Sequence, residues 1–478
     1  MHRRFRTRFR TPSAIRLAAV LVGISVMAVP AGGFRVQAGA ASTKAKPSIV
    51  LILTDDQRWD TLSWMPSVES LLVAHGVTFA NAFVPNSLCC PSRTSIITGE
   101  YSNSTGVWSN EPPYGGFPAF HRDRSTIATW LHAAGYRTAL IGKYLNDYEA
   151  AARQGYEPPG WDRWVAVMQN AAYYGYDLSV DRRIVHHGST RSDYATDVLT
   201  NQAVSFIHGT AGPLFLYFAP TAPHSPFTPA PEDRQACTGL PPYDPRSLGE
   251  LDNADKPRYV RDLPWAAPQV THNVQARVGQ CRALADVDRS VSRIVGALRA
   301  TGRLSNTMIV FMSDNGYMWG EHRLTAKSVP YEESIRVPMV IRYDPITTSP
   351  RVVSRMALNI DLAPTFASLA GVGAPGVDGR SLLPLLRGDH VTWRNSFLIE
   401  HGHGSEESPP VPDYCGIRTP GWKYVLYHTG AQELYDLKDD PYELTNLARN
   451  ARWAGRLRDL RSQMLARCRP LPPAFGPS

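Results

Sequence analysis

Ile49-Val-Leu-Ile-Leu53 runs directly into Thr54-Asp55-Asp56, and the reading of this stretch decides the fold. A continuous apolar run of this length, rich in branched side chains, fits a strand covered on both faces rather than one with a wet side. Three more runs have the same form. Thr138-Ala-Leu-Ile141 leads into Gly142-Lys143, Leu214-Phe-Leu-Tyr-Phe218 leads to Pro223-His224, and Met308-Ile-Val-Phe-Met312 leads into Ser313-Asp314-Asn315. Amphipathic stretches lie between them. Ser125 is read as the cap of a helix through Ala134, and Leu284, Val287, Val291, Ile294, Val295 and Leu298 mark a longer helix by their spacing. Alternating strands and helices predict an α/β fold with a doubly wound, mostly parallel sheet. Ligands of such sheets collect outside the carboxyl ends of the strands, so Asp55, Asp56, Lys143, His224, Asp314 and Asn315 are expected at one polar site.

The texture changes after about residue 388. Ser396–Glu400, Tyr414–Arg418, Lys423–Tyr427 and Glu433–Asp436 read as short strands, and Trp453 to Cys468 as a helix. This predicts a catalytic α/β domain over residues 46–388 and a smaller antiparallel α+β subdomain over 389–470. Residues 220–275, rich in Pro and charge, read as a long surface excursion near the site. There is no internal repeat.

The formal net charge of +8 misleads. Residues 1–40 hold seven arginines and no acid, so the remainder carries only +1 and gives no argument for nucleic-acid binding. That N-terminus reads as a signal peptide: arginines, an apolar stretch from Leu17 to Val29, then candidate cleavage sites at Val36-Gln-Ala38 or Ala38-Gly-Ala40. The apolar run is shorter than the roughly 20 residues that span a bilayer, although an uncleaved anchor is the alternative. The reading is export to a secreted or periplasmic location, without stable membrane association after signal removal. Export permits disulfides among the six cysteines. Cys237–Cys281 and Cys415–Cys468 are the expected pairs with Cys90 free and buried, but spacing alone does not fix connectivity.

The chemistry-bearing segment is Ser87-Leu-Cys-Cys-Pro-Ser-Arg-Thr-Ser-Ile-Ile-Thr-Gly99. Pro91 suits the first turn of a helix, and Thr98-Gly99 suits its stop. Cys89 then sits at the positive end of a helix dipole, with the Arg93 fork one turn on, which suits a tetrahedral oxyanion. The alternative, a vicinal Cys89-Cys90 pair for redox or metal chemistry, lacks the two-residue gap of the usual motifs. Asp55, Asp56, Asp314 and Asn315 make an all-oxygen donor set that suits Ca²⁺, with Mg²⁺ second, rather than Zn²⁺.

Cys89-x-Pro91-Ser92-Arg93-x4-Thr98-Gly99 resembles the signature of the type I sulfatases. The resemblance runs over roughly residues 46–450 and implies an alkaline-phosphatase-like fold. It also implies that a separate maturation enzyme converts Cys89 to Cα-formylglycine, and that Asp55, Asp56, Asp314 and Asn315 hold a divalent ion that also touches residue 89. Lys143 and Lys327 match the family's sulfate-binding lysines, and His224 matches the histidine near the leaving oxygen. The implied reaction is a two-step displacement. The aldehyde hydrate attacks sulfur while Arg93, Lys143 and Lys327 hold the sulfate, and His224 assists the departing alcohol; a second hydroxyl then expels sulfate.

Gly142-Lys-Tyr-Leu-Asn146 and Ala222-Pro-His-Ser-Pro-Phe-Thr228 are similar to the glucosamine-6-sulfatase branch. Two departures stand out. Leu145 occupies the place of a common histidine, which leaves the base for sulfate elimination unassigned. Asn103 and Thr105 stand where that branch has histidines, which weakens an inherited amino-sugar specificity. His401 and His403 lie where a C-terminal loop could reach the pocket. The expected function is hydrolysis of a sulfated carbohydrate. The rivals are a phosphodiesterase or phosphonate monoester hydrolase, and a non-catalytic glycan-binding protein with unmodified Cys89.

Overall fold

The computed structural model describes residues 45–476 except Asn170 and 404–409, together with Gly23. The signal peptide expected over residues 1–40 lies outside the described residues. Each of the four apolar runs is a strand: β1 (Ser48–Thr54), β2 (Arg137–Lys143), β4 (Leu214–Ala219) and β5 (Thr307–Ser313). With β3 (Arg163–Val167) they form five consecutive parallel strands in the order β5-β1-β4-β2-β3. Five further strands extend the edges to ten. Antiparallel pairs occur at Met339–Arg342 on one side and at Tyr176–Val180 and Arg183–His187 on the other. The doubly wound, mostly parallel sheet is as expected.

Alternation along β1 shows why an unbroken apolar run was needed. Ile49, Leu51 and Leu53 enter one core with Ile96, Leu131 and Phe366, whereas Val50 and Ile52 enter the other with Leu199, Leu284 and Val291. Each is fully buried, so each contributes roughly 1.5–3 kcal/mol, and trimming any one to Ala would cost about 2–5 kcal/mol. Register fixes function as well. Thr54 pairs with Ser313, so Asp55 and Asp314 leave the sheet at the same level.

Three details differ from the sequence reading. The helix expected to be capped by Ser125 spans Ile127–Ala133 and is capped by Thr126, whose side chain and that of Thr129 close a reciprocal capping box. Ser125 instead accepts the Trp130 indole N–H. The long helix, Ala267–Ala300, begins inside the expected 220–275 excursion. The C-terminal helix is shorter than expected, Ala454–Leu465.

Phe397–His401, Tyr414–Arg418, Trp422–Tyr427 and Gln432–Asp436 form the expected antiparallel sheet. One face packs Leu398, Ile417 and Leu434 against Leu460 and Met464 of the C-terminal helix. The other face reaches Pro330 and Tyr331 through buried polar contacts. Glu433 accepts hydrogen bonds from Tyr331 at 2.7 Å, Tyr427 at 2.6 Å and Tyr435 at 2.7 Å. Lys423 donates to the Pro330 carbonyl at 2.8 Å and pairs with Glu443 at 2.6 Å. The sheet thus clamps the segment that follows Lys327. Both expected disulfides are present, and Cys89 and Cys90 are free and buried. No described helix is long and apolar enough to cross a membrane.

Candidate active site

α1 (Cys89–Thr98) begins at the decisive cysteine, carries Pro91 in its first turn and ends on Gly99 in the left-handed region, as the motif predicted. Every residue of the helix is buried. Cys90 N–H donates to Asn110 Oδ1 at 2.9 Å, and Ser92 Oγ donates to the Asp314 carbonyl. These contacts pin the first turn against the strand ends.

The predicted residues converge. Cys89 Sγ lies 2.9 Å from Lys327 Nζ and 3.5 Å from Asp55 Oδ1. Lys143 Nζ donates to Asp55 Oδ2 at 2.6 Å, and Lys327 pairs with Asp56. Asn315 Nδ2 donates to Asp56 Oδ1 at 2.7 Å. His224 Nε2 stands 3.6 Å from Asp56 Oδ2, while its Nδ1 meets the Ser225 carbonyl at 2.7 Å. Gly142 lets β2 deliver Lys143 here. Its φ is +126°, and a Cβ would collide with the Ala219 carbonyl of β4.

Arg93 is held by three protein groups. Its Nε donates to Asp314 Oδ2 at 2.8 Å and its Nη1 to the Lys143 carbonyl at 2.8 Å. Its Nη2 lies 2.8 Å from Asp314 and 3.6 Å from Asp55. The guanidinium therefore orients two carboxylates rather than facing open space.

The charges are strongly perturbed. Burial would raise Asp55, but Lys143, His224, Arg93 and Lys327 together hold it well below the usual carboxylate range. Burial, with the Asp55 charge beside it, pushes Asp314 up to about 7 despite Arg93 and Lys143. Burial also pushes the Cys89 thiol up to about 12, so an unmodified Cys89 is a neutral thiol and a weak nucleophile at neutral pH. His224 is lowered by burial, against the opposing pull of Asp56 and Asp55.

The donor set fits a hard divalent cation. Ligand atoms of Asp55, Asp56, Cys89 and His224 lie within 4.8 Å of one another. Asp314 Oδ1 accepts the Asp56 N–H at 3.2 Å, and the buried Asn315 Oδ1 has no hydrogen-bond partner among the described residues. An orphaned buried amide oxygen beside three carboxylates is a place for a cation. Sequence reasoning missed the supports around this set. Gln280 Nε2 donates to the Asp56 carbonyl at 3.2 Å, Gln57 N–H to Ser313 Oγ at 2.9 Å, and Asn359 Nδ2 to Ser92 Oγ at 2.9 Å. No motif joins positions so distant in the chain.

The Sulfatase family model matches residues 47–372, and the model for the C-terminal part of N-sulphoglucosamine sulphohydrolase matches residues 320–469. The chain belongs to the sulfatase family. It is 34% identical to human N-acetylglucosamine-6-sulfatase over 471 residues, covering 86% of this chain and 82% of that protein. A solved structure in complex with its substrate D-glucosamine-2-N,6-O-disulfate superposes with a TM-score of 0.77 at 25% identity, covering 88% and 97% of the two chains. The phosphonate monoester hydrolase of Agrobacterium radiobacter shares the fold, with a TM-score of 0.70 at 22% identity over 88% and 95%. This sulfatase is a sulfuric ester hydrolase of the N-acetylglucosamine-6-sulfatase-like branch, with the alkaline-phosphatase-like fold that its motif implied.

Two departures from that branch now have a physical setting. Asn103 is buried and its amide donates to the Arg467 carbonyl at 2.9 Å and the Arg469 carbonyl at 3.2 Å, tethering the C-terminal segment. Thr105 Oγ1 turns to the Ser102 carbonyl at 3.3 Å. Both positions hold backbone together. Leu145 is buried in the apolar core. His401 is buried and stacks on Tyr414, and His403 meets Tyr114 edge-on.

Proposed function

We propose that this sulfatase removes sulfate from a sulfated carbohydrate, using residue 89 as Cα-formylglycine made by a separate maturation enzyme, after export from the cytoplasm. The carbohydrate class is supported by the names of the similar proteins, of which the solved relative carries a 6-O-sulfated glucosamine. The observation that carries the chemistry is Cys89 itself. Its Sγ lies against Lys327 Nζ and Asp55 Oδ1, with Lys143 on the same Asp55, and burial favours its neutral thiol form. A nucleophile in this setting needs a different functional group, and a hydrated aldehyde supplies a hydroxyl to attack sulfur and a second to release it.

Asp55, Asp56, Asp314 and Asn315 would hold the ion, Ca²⁺ ahead of Mg²⁺. When bound, a divalent cation supplies positive charge that polarises a sulfate oxygen. The chain's own residues do the rest. Lys327 and Lys143 place ammonium groups against residue 89 and neutralise charge on the equatorial oxygens. Arg93 fixes Asp314 and Asp55 and adds a permanent positive potential beneath them. His224 presents Nε2 on the open side, where a proton can pass to the departing alkoxide. On the proposed partition, residues 46–388 would supply every one of these groups, and residues 389–470 would clamp the segment behind Lys327.

The test is mass spectrometry of the peptide containing residue 89, paired with turnover of N-acetylglucosamine-6-sulfate and of an aryl phosphodiester under one set of conditions. Aldehyde or hydrate at position 89 with sulfate release is expected. A faster phosphodiester reaction would favour the phosphonate monoester hydrolase reading. Intact cysteine with glycan binding and no turnover would favour a binding protein.

A further inference from the structure

A cavity of about 320 Å³ lies beside the catalytic loops and is lined by none of the residues assigned above. Its walls are aromatic: Tyr243, Trp265 and Trp319. Its floor is the N-terminal half of the long helix, which presents Asn273 and Arg277 four residues apart on one face. Asn273 is 4% exposed, and neither its amide oxygen nor its amide nitrogen has a hydrogen-bond partner among the described residues. A buried amide left without partners is destabilising, so such a group is expected to meet one.

Arg277 is equally unfinished. Its Nη1 donates to the Pro241 carbonyl at 2.8 Å, its Nε has no acceptor, and no described carboxylate pairs with it. The guanidinium carbon instead lies 5.9, 5.4 and 5.8 Å from the ring centres of Trp64, Tyr243 and Trp319. Aromatic faces hold a cation in place without cancelling its charge for a ligand. The space is kept open by Gly320, at φ +109°, where a Cβ would stand 2.5 Å from Asn273 Nδ2 and 2.6 Å from Trp265 Cη2.

The cavity also adjoins the chemistry. Trp319 Nε1 donates to Gln280 Oε1 at 2.8 Å, and Gln280 in turn holds the Asp56 carbonyl. Trp319 further clusters with Tyr317, Phe227 and Ala326, the last two beside His224 and Lys327 in the chain.

We infer that this cavity is a saccharide-binding site for an anionic sugar, in which Arg277 takes the carboxylate or sulfate, Asn273 takes ring hydroxyls and Trp265 offers an apolar face. The chemistry favours this occupant. A fork without a counter-ion selects an oxyanion. An amide with both donor and acceptor unspent suits vicinal hydroxyls, and indole surfaces suit the C–H faces of a pyranose. The choice of sugar over other anions rests on the carbohydrate reading above. The anion could come from the next residue of the chain being desulfated or from a separate chain.

The test measures binding, so it does not depend on turnover. A uronate-containing, 6-O-sulfated tetrasaccharide is titrated by calorimetry into the full-length Cys89→Ala chain and into the same chain with Arg277→Ala, Arg277→Lys or Trp265→Ala. Thermal melts confirm that each variant folds. Arg277→Ala should weaken binding about tenfold or more, the value of one charged hydrogen-bonded contact, and Arg277→Lys should recover part of it. One equivalent bound, with Arg277→Ala weakening it, means that the neighbouring sugar of the same chain occupies the cavity. Two equivalents, one of them lost in Arg277→Ala, means a separate chain. Unchanged affinity and stoichiometry in both folded Arg277→Ala and Trp265→Ala would overturn the inference. Binding intact here, with no sulfate released by the wild-type chain carrying formylglycine at position 89, would count against the sulfatase mechanism alone.

Discussion

Replacing His224 with Ala separates a proton donor from a group that merely shapes the pocket. Its Nδ1 is committed to the Ser225 carbonyl at 2.7 Å, so only Nε2 can serve a substrate. The side chain is 22% exposed and 3.6 Å from Asp56 Oδ2, on the more exposed side of the cluster it shares with Asp55, Asp56 and Cys89. A sugar alkoxide is a poor leaving group and needs a proton in the transition state, whereas a nitrophenolate does not. General acid assistance is worth ~10²–10⁴-fold, or about 2.7–5.4 kcal/mol. We therefore expect His224→Ala to lower kcat for a 6-O-sulfated sugar by ~10²–10⁴-fold, but for nitrophenyl sulfate by less than about tenfold. The pH dependence has a definite sign. Burial holds His224 below the ordinary histidine value, so the donating imidazolium is the minor form at neutral pH. Sugar turnover should fall as pH rises through that value, and the mutant should lose this limb of the profile. Both rates are to be measured by sulfate release, with metal content and the state of residue 89 matched to wild type. Equal losses on the two substrates would refute the acid role.

Other substitutions probe the remaining parts. Cys89→Ala should abolish turnover, whereas Cys90→Ala, which only removes a buried sulfur from the core, should keep much of it; full activity in Cys89→Ala, assayed with the same sulfated sugar, would remove the basis of the mechanism. Asn315→Ala and Asp314→Ala should each lose the bound ion, read by elemental analysis, and with it activity. Chelator-treated wild type should regain activity with Ca²⁺, and retention of the ion in Asp314→Ala would end the assignment. Gly142→Ala forces a Cβ into the Ala219 carbonyl at positive φ and should destabilise the fold by about 1–3 kcal/mol or more, seen as a lowered Tm. Opening the Cys237–Cys281 link, with a sequence separation of 44, by a double Ser substitution should cost roughly 2–4 kcal/mol and raise protease sensitivity in the excursion first.

Much of the site was legible because it hangs from strand ends. An apolar run that ends in a charged residue states both a buried strand and what its carboxyl end presents, and β1, β2 and β5 each did so. His224 was legible for a similar reason, standing shortly after β4. The helix cap was misplaced by one residue because Ser125 and Thr126 both carry a hydroxyl, and only backbone geometry decides which meets the N3 amide. The long helix was read from Leu284 onward, since Val270 and Val274 are exposed and its first turns lack a buried apolar stripe. The contacts of Arg93 were not legible because its partners are a carboxylate and a carbonyl from distant strands, which no local pattern announces. The same holds for Glu433, whose three tyrosine donors come from separate segments.

The burial of residue 89 sets an order of events during synthesis. Its side chain is sealed by Lys327, which follows it by 238 positions. At roughly 5–20 residues per second, a ribosome needs on the order of 10–50 s to make that intervening length. For that interval the cysteine exists without the residues that later enclose it, and any reagent that must grasp it has its opportunity then. Once β5 and the segment beyond it are in place, every residue of α1 is buried, so a protein that must grasp the peptide around residue 89 no longer can. If residue 89 is converted as proposed, a chain that folds unconverted is expected to stay inactive, and specific activity in a preparation would record how conversion and folding raced while each chain was being made.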